Sequence, residues 1–208
     1  MHAGQVAVGD MAPAPSAANG IGPELYAPLA VTRPRGKPED IYDALVSDQC
    51  AVLKEIVDRE GPISLRVAAR RLGAFWGIGR VSPALQDKTK QLALEAGLRI
   101  IRHQDELFLW PARQDPEQYE RFRVAGDDPE SRRDARDLPP EEVANAARYV
   151  LHQQGSLPLE DLVKETARLL GYQRTGVQVD QACRRGIDRL IEKGLVRNLE
   201  GMVVTAQH

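Results

Sequence analysis

Cysteine and aromatic side chains are scarce in this sequence. Two cysteines, Cys50 and Cys183, occur in 208 residues, both within helix-like segments, and Phe, Trp and Tyr together make up 5%. Two thiols so placed argue against the disulfide framework of a small secreted domain and suit a reducing compartment, so a cytoplasmic location is expected. No run of about 18 apolar residues is present to span a membrane as a helix. The opening MHAGQVAVGDMAPAPS lacks a basic n-region and a continuous apolar stretch, so no secretory signal is expected. Neither sign of charge is in excess: 28 Lys and Arg face 30 Asp and Glu, for a formal net charge of −2. With 42% apolar and 28% charged residues, the chain is neither collagenous nor wholly disordered, and its length suits one medium domain or two small ones.

The near-neutral total hides an alternation. Residues 1–58 hold 4 basic and 8 acidic side chains, residues 59–112 hold 9 and 5, residues 113–146 hold 6 and 10, and residues 147–208 hold 9 and 7. Two basic blocks alternate with two acidic ones. That is either ordinary surface charge or two small modules that meet a polyanion, joined by acidic segments.

Residues 1–37, rich in Pro, Ala and Gly, keep no helical or strand period and read as a disordered leader or tether. Its one adhesive patch is ELYAPLAV, Glu24 to Val31. Order is expected from Pro38. A helix with apolar residues Ile41, Leu45, Val52, Leu53, Ile56 and Val57 stops at Gly61-Pro62. After a short extended piece, Ser64 caps a second helix carrying Leu65, Ala68, Ala69, Leu72 and Phe75. Ser82-Pro83 opens a third through Leu85, Thr89, Leu92, Ala93 and Ala96, with Pro83 in the first turn, where it is tolerated. Gly97 ends it, and Leu98–Arg102 and Leu107–Trp110 flank the turn His103-Gln104-Asp105 as a hairpin.

Residues 113–138 are charged and poor in aliphatics, and read as a linker in which Tyr119, Phe122 and Val124 are the residues able to pin it to a neighbour. The plan then repeats over 139–208. A helix carries Val143, Ala146, Ala147, Val150 and Leu151, and a short extended piece follows at Gly155–Pro158. A second helix carries Leu159, Leu162, Val163, Ala167 and Leu170. The third bears Val179, Cys183, Ile187, Leu190 and Ile191 as its buried stripe, and a closing hairpin turns at Asn198 and Gly201. Gly61, Ile63, Leu65, Gly77 and Arg80 recur 94 residues later as Gly155, Leu157, Leu159, Gly171 and Arg174. Ala96-Gly97-Leu98 and Lys193-Gly194-Leu195 match at 97. The expected fold class is mainly α with small β-hairpins (α+β), in two tandem winged helix-turn-helix-like units at 38–112 and 139–208. The third helix of such a unit is the one that enters a DNA groove.

The strings EGPISLRVAARRLGAFWGIGRV, LFLWP, DLPPEEVANAARYVL and LVKETARLLGYQRTGVQVDQACRRGIDRLIEKGLV, in that order, resemble the DUF3320 domain family over residues 38 to 205. That family typically forms the C-terminal part of large bacterial proteins with a superfamily 1 helicase core and a Vsr-like or related endonuclease domain. The resemblance implies a DNA-processing or phage-defence context, with helicase or endonuclease domains as partners in cis or in trans. It implies no reaction, since DUF3320 itself has no established activity.

Chemistry-bearing motifs do not assemble. The Gly-x-x-x-x-Gly-Lys-Ser/Thr string that cradles phosphates is missing, and Gly77-Ile78-Gly79 reads as a helix end. His2, His103, His152 and His208 are scattered and the cysteines lie 133 residues apart, so no metal site is expected. Cys183 reads as a core residue. Asp127-Asp128 sits in a charge run without a nucleophile. No catalytic residue, cofactor or metal is expected, and the chain reads as non-enzymatic. The strongest functional signal is basic and amide side chains on the helix-turn-helix elements. In the first unit these are Arg80, Gln86, Lys88 and Lys90, beside Arg66, Arg70, Arg71 and Ser82. In the second they are Arg174, Thr175, Gln178, Gln181, Arg184 and Arg185, beside Arg189. Arg and Lys neutralise phosphates, and Gln and Arg read base edges; the bland alternative is that they only keep amphipathic helices soluble. Trp76 and Trp110, among apolar neighbours, read as packed rather than as base-stacking platforms. Duplex or forked DNA is therefore the expected partner, with no membrane involvement. A protein-interaction module is the first alternative and a transcription regulator the second, though the unlike third helices disfavour one palindromic operator.

Overall fold

The computed structural model describes residues 22–31 and 36–206, and the fold is α+β: about 51% helical, with seven α-helices and small sheets among the described residues. Strand β1 (Pro23–Leu25) precedes helix α1 (Asp40–Asp43) and helix α2 (Val46–Glu60). Helix α2 buries Val52, Leu53, Ile56 and Val57, the helical spacing seen in the sequence. Strand β2 (Ile63–Ser64) leads into α3 (Leu65–Ala74), where the Ser64 hydroxyl accepts from the Val67 backbone N–H at 3.2 Å as expected of an N-cap. Helix α4 (Pro83–Glu95) and the hairpin β3 (Arg99–His103) and β4 (Glu106–Trp110) complete the first unit. Its sheet runs β2-β4-β3, all antiparallel, with Ile63 opposite Leu109 and Arg99 opposite Trp110. Leu53, Ile56, Leu72, Leu85 and Leu109 form its dry centre.

Strand β5 (Phe122–Val124) and three short 3-10 turns at Pro116–Gln118, Pro129–Ser131 and Ala135–Asp137 fill the connector. The second unit then repeats the first: α5 (Pro140–Gln154), β6 (Leu157–Pro158), α6 (Leu159–Leu169), α7 (Val177–Glu192), β7 (Val196–Leu199) and β8 (Met202–Thr205). Its sheet runs β6-β8-β7, the same order as in the first unit. Gly97 and Gly194, matched at offset 97, both take left-handed φ, +68° and +67°, where the third helix of each unit turns into its hairpin. Leu151, Leu162, Ile187 and Val203 centre the second core.

Four sequence expectations shift. The helix expected from Pro38 is broken: Leu45 is extended (ψ 133°), splitting α1 from α2, and its side chain, expected on the buried face, points to solvent. The α7 stripe is rotated: Ala182 and Gly186 join Cys183, Ile187 and Leu190 as buried, while Val179 is half-buried and Ile191 exposed. Gly186 lies where the α5 backbone comes closest to α7. Part of the expected leader, residues 22–31, is placed: β1 pairs in parallel with β5, and Tyr26 is buried. The remaining leader residues lie largely outside the described residues. Finally, the connector is no spacer. Phe122 enters the second core with Val124 against it, the two acting as the pinning residues the sequence suggested. Tyr119 packs edge-to-face on Trp110 at 5.1 Å, beside Phe108. Arg123, Ser131 and Asp137 are buried as well, because each finds a polar partner there. Trp76 and Trp110 are both packed inside.

Candidate nucleic-acid interface

Helix α4 starts at Ser82, whose hydroxyl accepts from the Leu85 backbone N–H at 3.2 Å, with Pro83 at the first helical position. Leu85, Thr89, Leu92 and Ala93 anchor its inner side, and the Thr89 hydroxyl donates to the Leu85 carbonyl at 2.7 Å. This register leaves Gln86, Lys88 and Lys90 half-exposed. Arg80 lies exposed in the α3–α4 connection. Among the described residues, Arg80 and Lys90 meet no carboxylate, and neither do the exposed Arg70 of α3 and Arg99 and Arg102 of β3. The Lys88 ammonium lies 5.8 Å from the centre of the Tyr42 ring. Arg66 and Arg71, also noted in the sequence, point elsewhere. Arg66 pairs with Asp137, and Arg71 is buried against Glu60 at 3.2 Å.

In the second unit Arg174 and Thr175 are exposed in the α6–α7 connection, and Gln178 and Gln181 are exposed on the first turns of α7. Arg184 is engaged: its Nε donates to Asp180 at 2.8 Å and its Nη2 to Glu160 at 2.6 Å. These two carboxylates hold its guanidinium even more firmly protonated than usual and cancel its charge locally. Arg185 lines a cleft of about 170 Å³ with His103, Asp105, Glu106 and Arg136, and so faces the hairpin of the first unit. Arg189 and Lys193 converge on Glu117, at 2.6 and 3.0 Å. The expected site thus divides. Arg80, Gln86, Lys88 and Lys90 lie together on α4 and its entry. Arg174, Thr175, Gln178 and Gln181 gather at the start of α7, and Arg184 and Arg185 are turned towards acidic neighbours.

The charges that sequence reasoning missed are buried. Glu60, fully enclosed at the end of α2, accepts from the Tyr26 hydroxyl, the Leu29 backbone N–H at 2.8 Å and Arg71. Burial first, then the neighbouring Glu60 charge, pushes the Tyr26 phenol above its ordinary range. Glu142, fully enclosed in α5, pairs with Arg123 and Arg133 and accepts from the Tyr119 hydroxyl at 3.3 Å. Arg123 also donates to the backbone carbonyls of Glu60 at 2.6 Å and Pro62 at 2.7 Å. Asp137 accepts from Ser64 at 2.7 Å and from Arg66, and His103 meets Glu141 at 3.0 Å. These contacts fasten both units to the connector and to each other. Their signal in the sequence is weak: Arg123, Arg133 and Asp137 belong to the segment that reads as a linker, while Glu60 and Glu142 sit at the last turn of α2 and the first turn of α5, where a carboxylate reads as an exposed helix-end residue.

The α1–α4 layer that carries Arg80 and Gln86 is also where the chain has a known likeness. Residues 39–87 match the family model described as Protein of unknown function (DUF3320). The DUF3320 match covers α1, α2, β2, α3 and the opening of α4, ending at Asp87. Neither a curated protein nor a solved structure matches the chain. Among the described residues, no group of three His, Cys, Asp or Glu side chains is placed to hold a metal ion, and no helix is long and apolar enough to cross a membrane.

Proposed function

We propose that this chain is a non-catalytic nucleic-acid-binding module of two winged-helix units, with the first unit as the leading contact. The observation that carries the reading is the uncompensated positive charge on and around α4. Arg80, Lys90, Arg70, Arg99 and Arg102 have no carboxylate partner among the described residues, whereas Arg184, Arg189 and Lys193 of α7 are neutralised within the fold. Free cations release counterions from DNA on binding; paired ones must first break their own contacts. Gln86, beside them, can read a base edge, while Arg174, Thr175, Gln178 and Gln181 form a secondary contact at α7. Two units held at fixed spacing suit duplex or forked DNA, and the DUF3320 likeness supports an accessory role beside a helicase or nuclease.

The test is binding of the full chain to labelled single-stranded, duplex and forked DNA at two salt concentrations. Log affinity should fall with log salt. The triple variant Arg70→Ala/Arg80→Ala/Lys90→Ala should weaken binding for all sequences, with the salt slope falling by about one per lost phosphate contact. Arg184→Ala should change little. A chain that binds no DNA at low salt, or a triple variant that stays folded and binds as tightly as the parent, overturns the reading.

A further inference from the structure

A second face of the first unit carries the opposite chemistry. At the break between α1 and α2, three large apolar side chains are turned to solvent within five residues: Tyr42 is 62%, Leu45 68% and Val46 53% exposed. The corner that presents them is built. The Ala44 N–H donates to the Asp40 carbonyl at 2.8 Å, and the Gln49 side-chain amide, fully buried, donates to the Ala44 carbonyl at 2.7 Å. Glu39, Asp40, Asp43 and Asp48 rim the patch, against Lys37 and the Lys88 ammonium over the Tyr42 ring. Beside it opens a hollow of about 390 Å³, lined by Asp40, Asp43, Ala44, Asp48 and Gly36 with Trp76 against it.

We propose that this corner docks a basic amphipathic helix from another protein or domain, one that sets an apolar side chain against Tyr42, Leu45 and Val46 and brings Lys or Arg to Asp40, Asp43 and Asp48. Apolar groups exposed together mark an interaction surface rather than scattered surface residues. Their carboxylate rim selects the partner's charge and repels phosphate, which separates this face from the unpaired cations Arg80 and Lys90, while Lys88 stays over the Tyr42 ring. A second copy of the chain does not fit: a two-fold contact through this patch would set Asp43 and Asp48 against the same residues of the partner. The helix-in-groove mode supplies the complementary shape, an apolar stripe flanked by charges one turn apart. This docking stands independently of nucleic-acid binding at α4.

The experiment is a titration of the isotope-labelled full chain, followed by backbone amide and indole N–H resonances, with a synthetic Leu/Lys amphipathic peptide of about 15 residues and its Leu/Glu counterpart. The Leu/Lys peptide should shift residues 36–48, Lys88 and the Trp76 indole, leaving the Trp110 indole in place, and the Leu/Glu peptide should shift none of them. The surface variant Tyr42→Ala/Leu45→Ser, with the rest of its spectrum unchanged, should lose about tenfold in affinity, and Asp43→Lys/Asp48→Lys should lose a similar factor at low salt. Absence of binding, equal binding of the two peptides, shifts centred elsewhere, DNA-induced shifts centred on Leu45, Val46 and Asp48 rather than on Arg80 and Lys90, or self-association that perturbs residues 36–48 would each overturn the proposal.

Discussion

Gly186 is the point at which the second unit has no room for a side chain. A Cβ built there would stand 2.6 Å from Val143 Cγ1, 2.7 Å from Val143 Cβ and 2.8 Å from the Ala144 backbone nitrogen. Helices α5 and α7 would have to part by roughly 0.8 Å before the nearest contact returned to van der Waals range. The Val143 methyl can rotate aside, but the Ala144 nitrogen belongs to the α5 backbone and moves only with the helix. Overpacking of this kind costs about 1–3 kcal/mol, and the rigid backbone contact places Gly186→Ala near the upper end. Alanine returns about 1 kcal/mol through its better helix propensity. The expected net loss is about 2 kcal/mol, a drop in thermal midpoint of roughly 4–8 °C for a chain of this size. Urea denaturation and a thermal melt of the parent and variant measure it. A double-mutant cycle with Val143→Ala adds a second reading: removing Val143 Cγ1 should make the pair less damaging than the sum of the singles by at least about 0.5 kcal/mol. If Gly186→Ala is as stable as the parent or more so, helix propensity dominates and the close approach of α5 and α7 is not as described.

Glu142→Gln leaves Arg123 and Arg133 buried without their counter-charge and should cost about 3–5 kcal/mol, read from the urea midpoint; a loss under about 1 kcal/mol would show that solvent reaches the pair. Tyr26→Phe removes the hydroxyl that donates to Glu60 and should cost about 1.5–3 kcal/mol, whereas a leader that merely tethers would make the change neutral in the same assay. The Glu117 carboxyl is held below its usual range, first by the hydrogen bond from Lys193 and then, against the opposing pull of burial, by Arg189. A carboxylate depressed in the folded state stabilises above its unfolded pKa and loses that contribution as pH falls through the folded value. Glu117→Gln should therefore trail the parent near neutrality and converge with it below about pH 4, as urea midpoints across that range will report; a gap that persists in acid would refute the assignment.

What the sequence made legible were the features set by local rules. Ser64 and Ser82 cap because a hydroxyl before a helix has free N–H groups to accept from, and Gly97 and Gly194 end helices because the turn needs φ above zero. The element order of each unit follows from such signals, and the offset of 94 carried the order from one unit to the other. What stayed hidden depends on contacts far apart in the chain. Nothing in the local pattern of α1 and α2 distinguishes an inward Leu45 from an outward one; the break held by Gln49 decides it. Arg184 reads as a free cation on a helix face until Glu160, 24 residues earlier, is placed beside it. The connector reads as solvated because high charge and low aliphatic content usually mean that, and its burial depends on Arg123, Arg133 and Asp137 finding partners from other elements.

That connector also changes what the repeated element order can be taken to mean. Its cations Arg123 and Arg133 neutralise Glu142 of the second unit, and its Asp137 holds Ser64 and Arg66 of the first. A cut after residue 138 strands Glu142 in one half and Arg123 and Arg133 in the other, and a cut before residue 113 strands Asp137 in the second half. The two units share an element order but are not interchangeable parts: a break through this segment separates Glu142 from Arg123 and Arg133 or Asp137 from Ser64 and Arg66, so the pair should melt as one body.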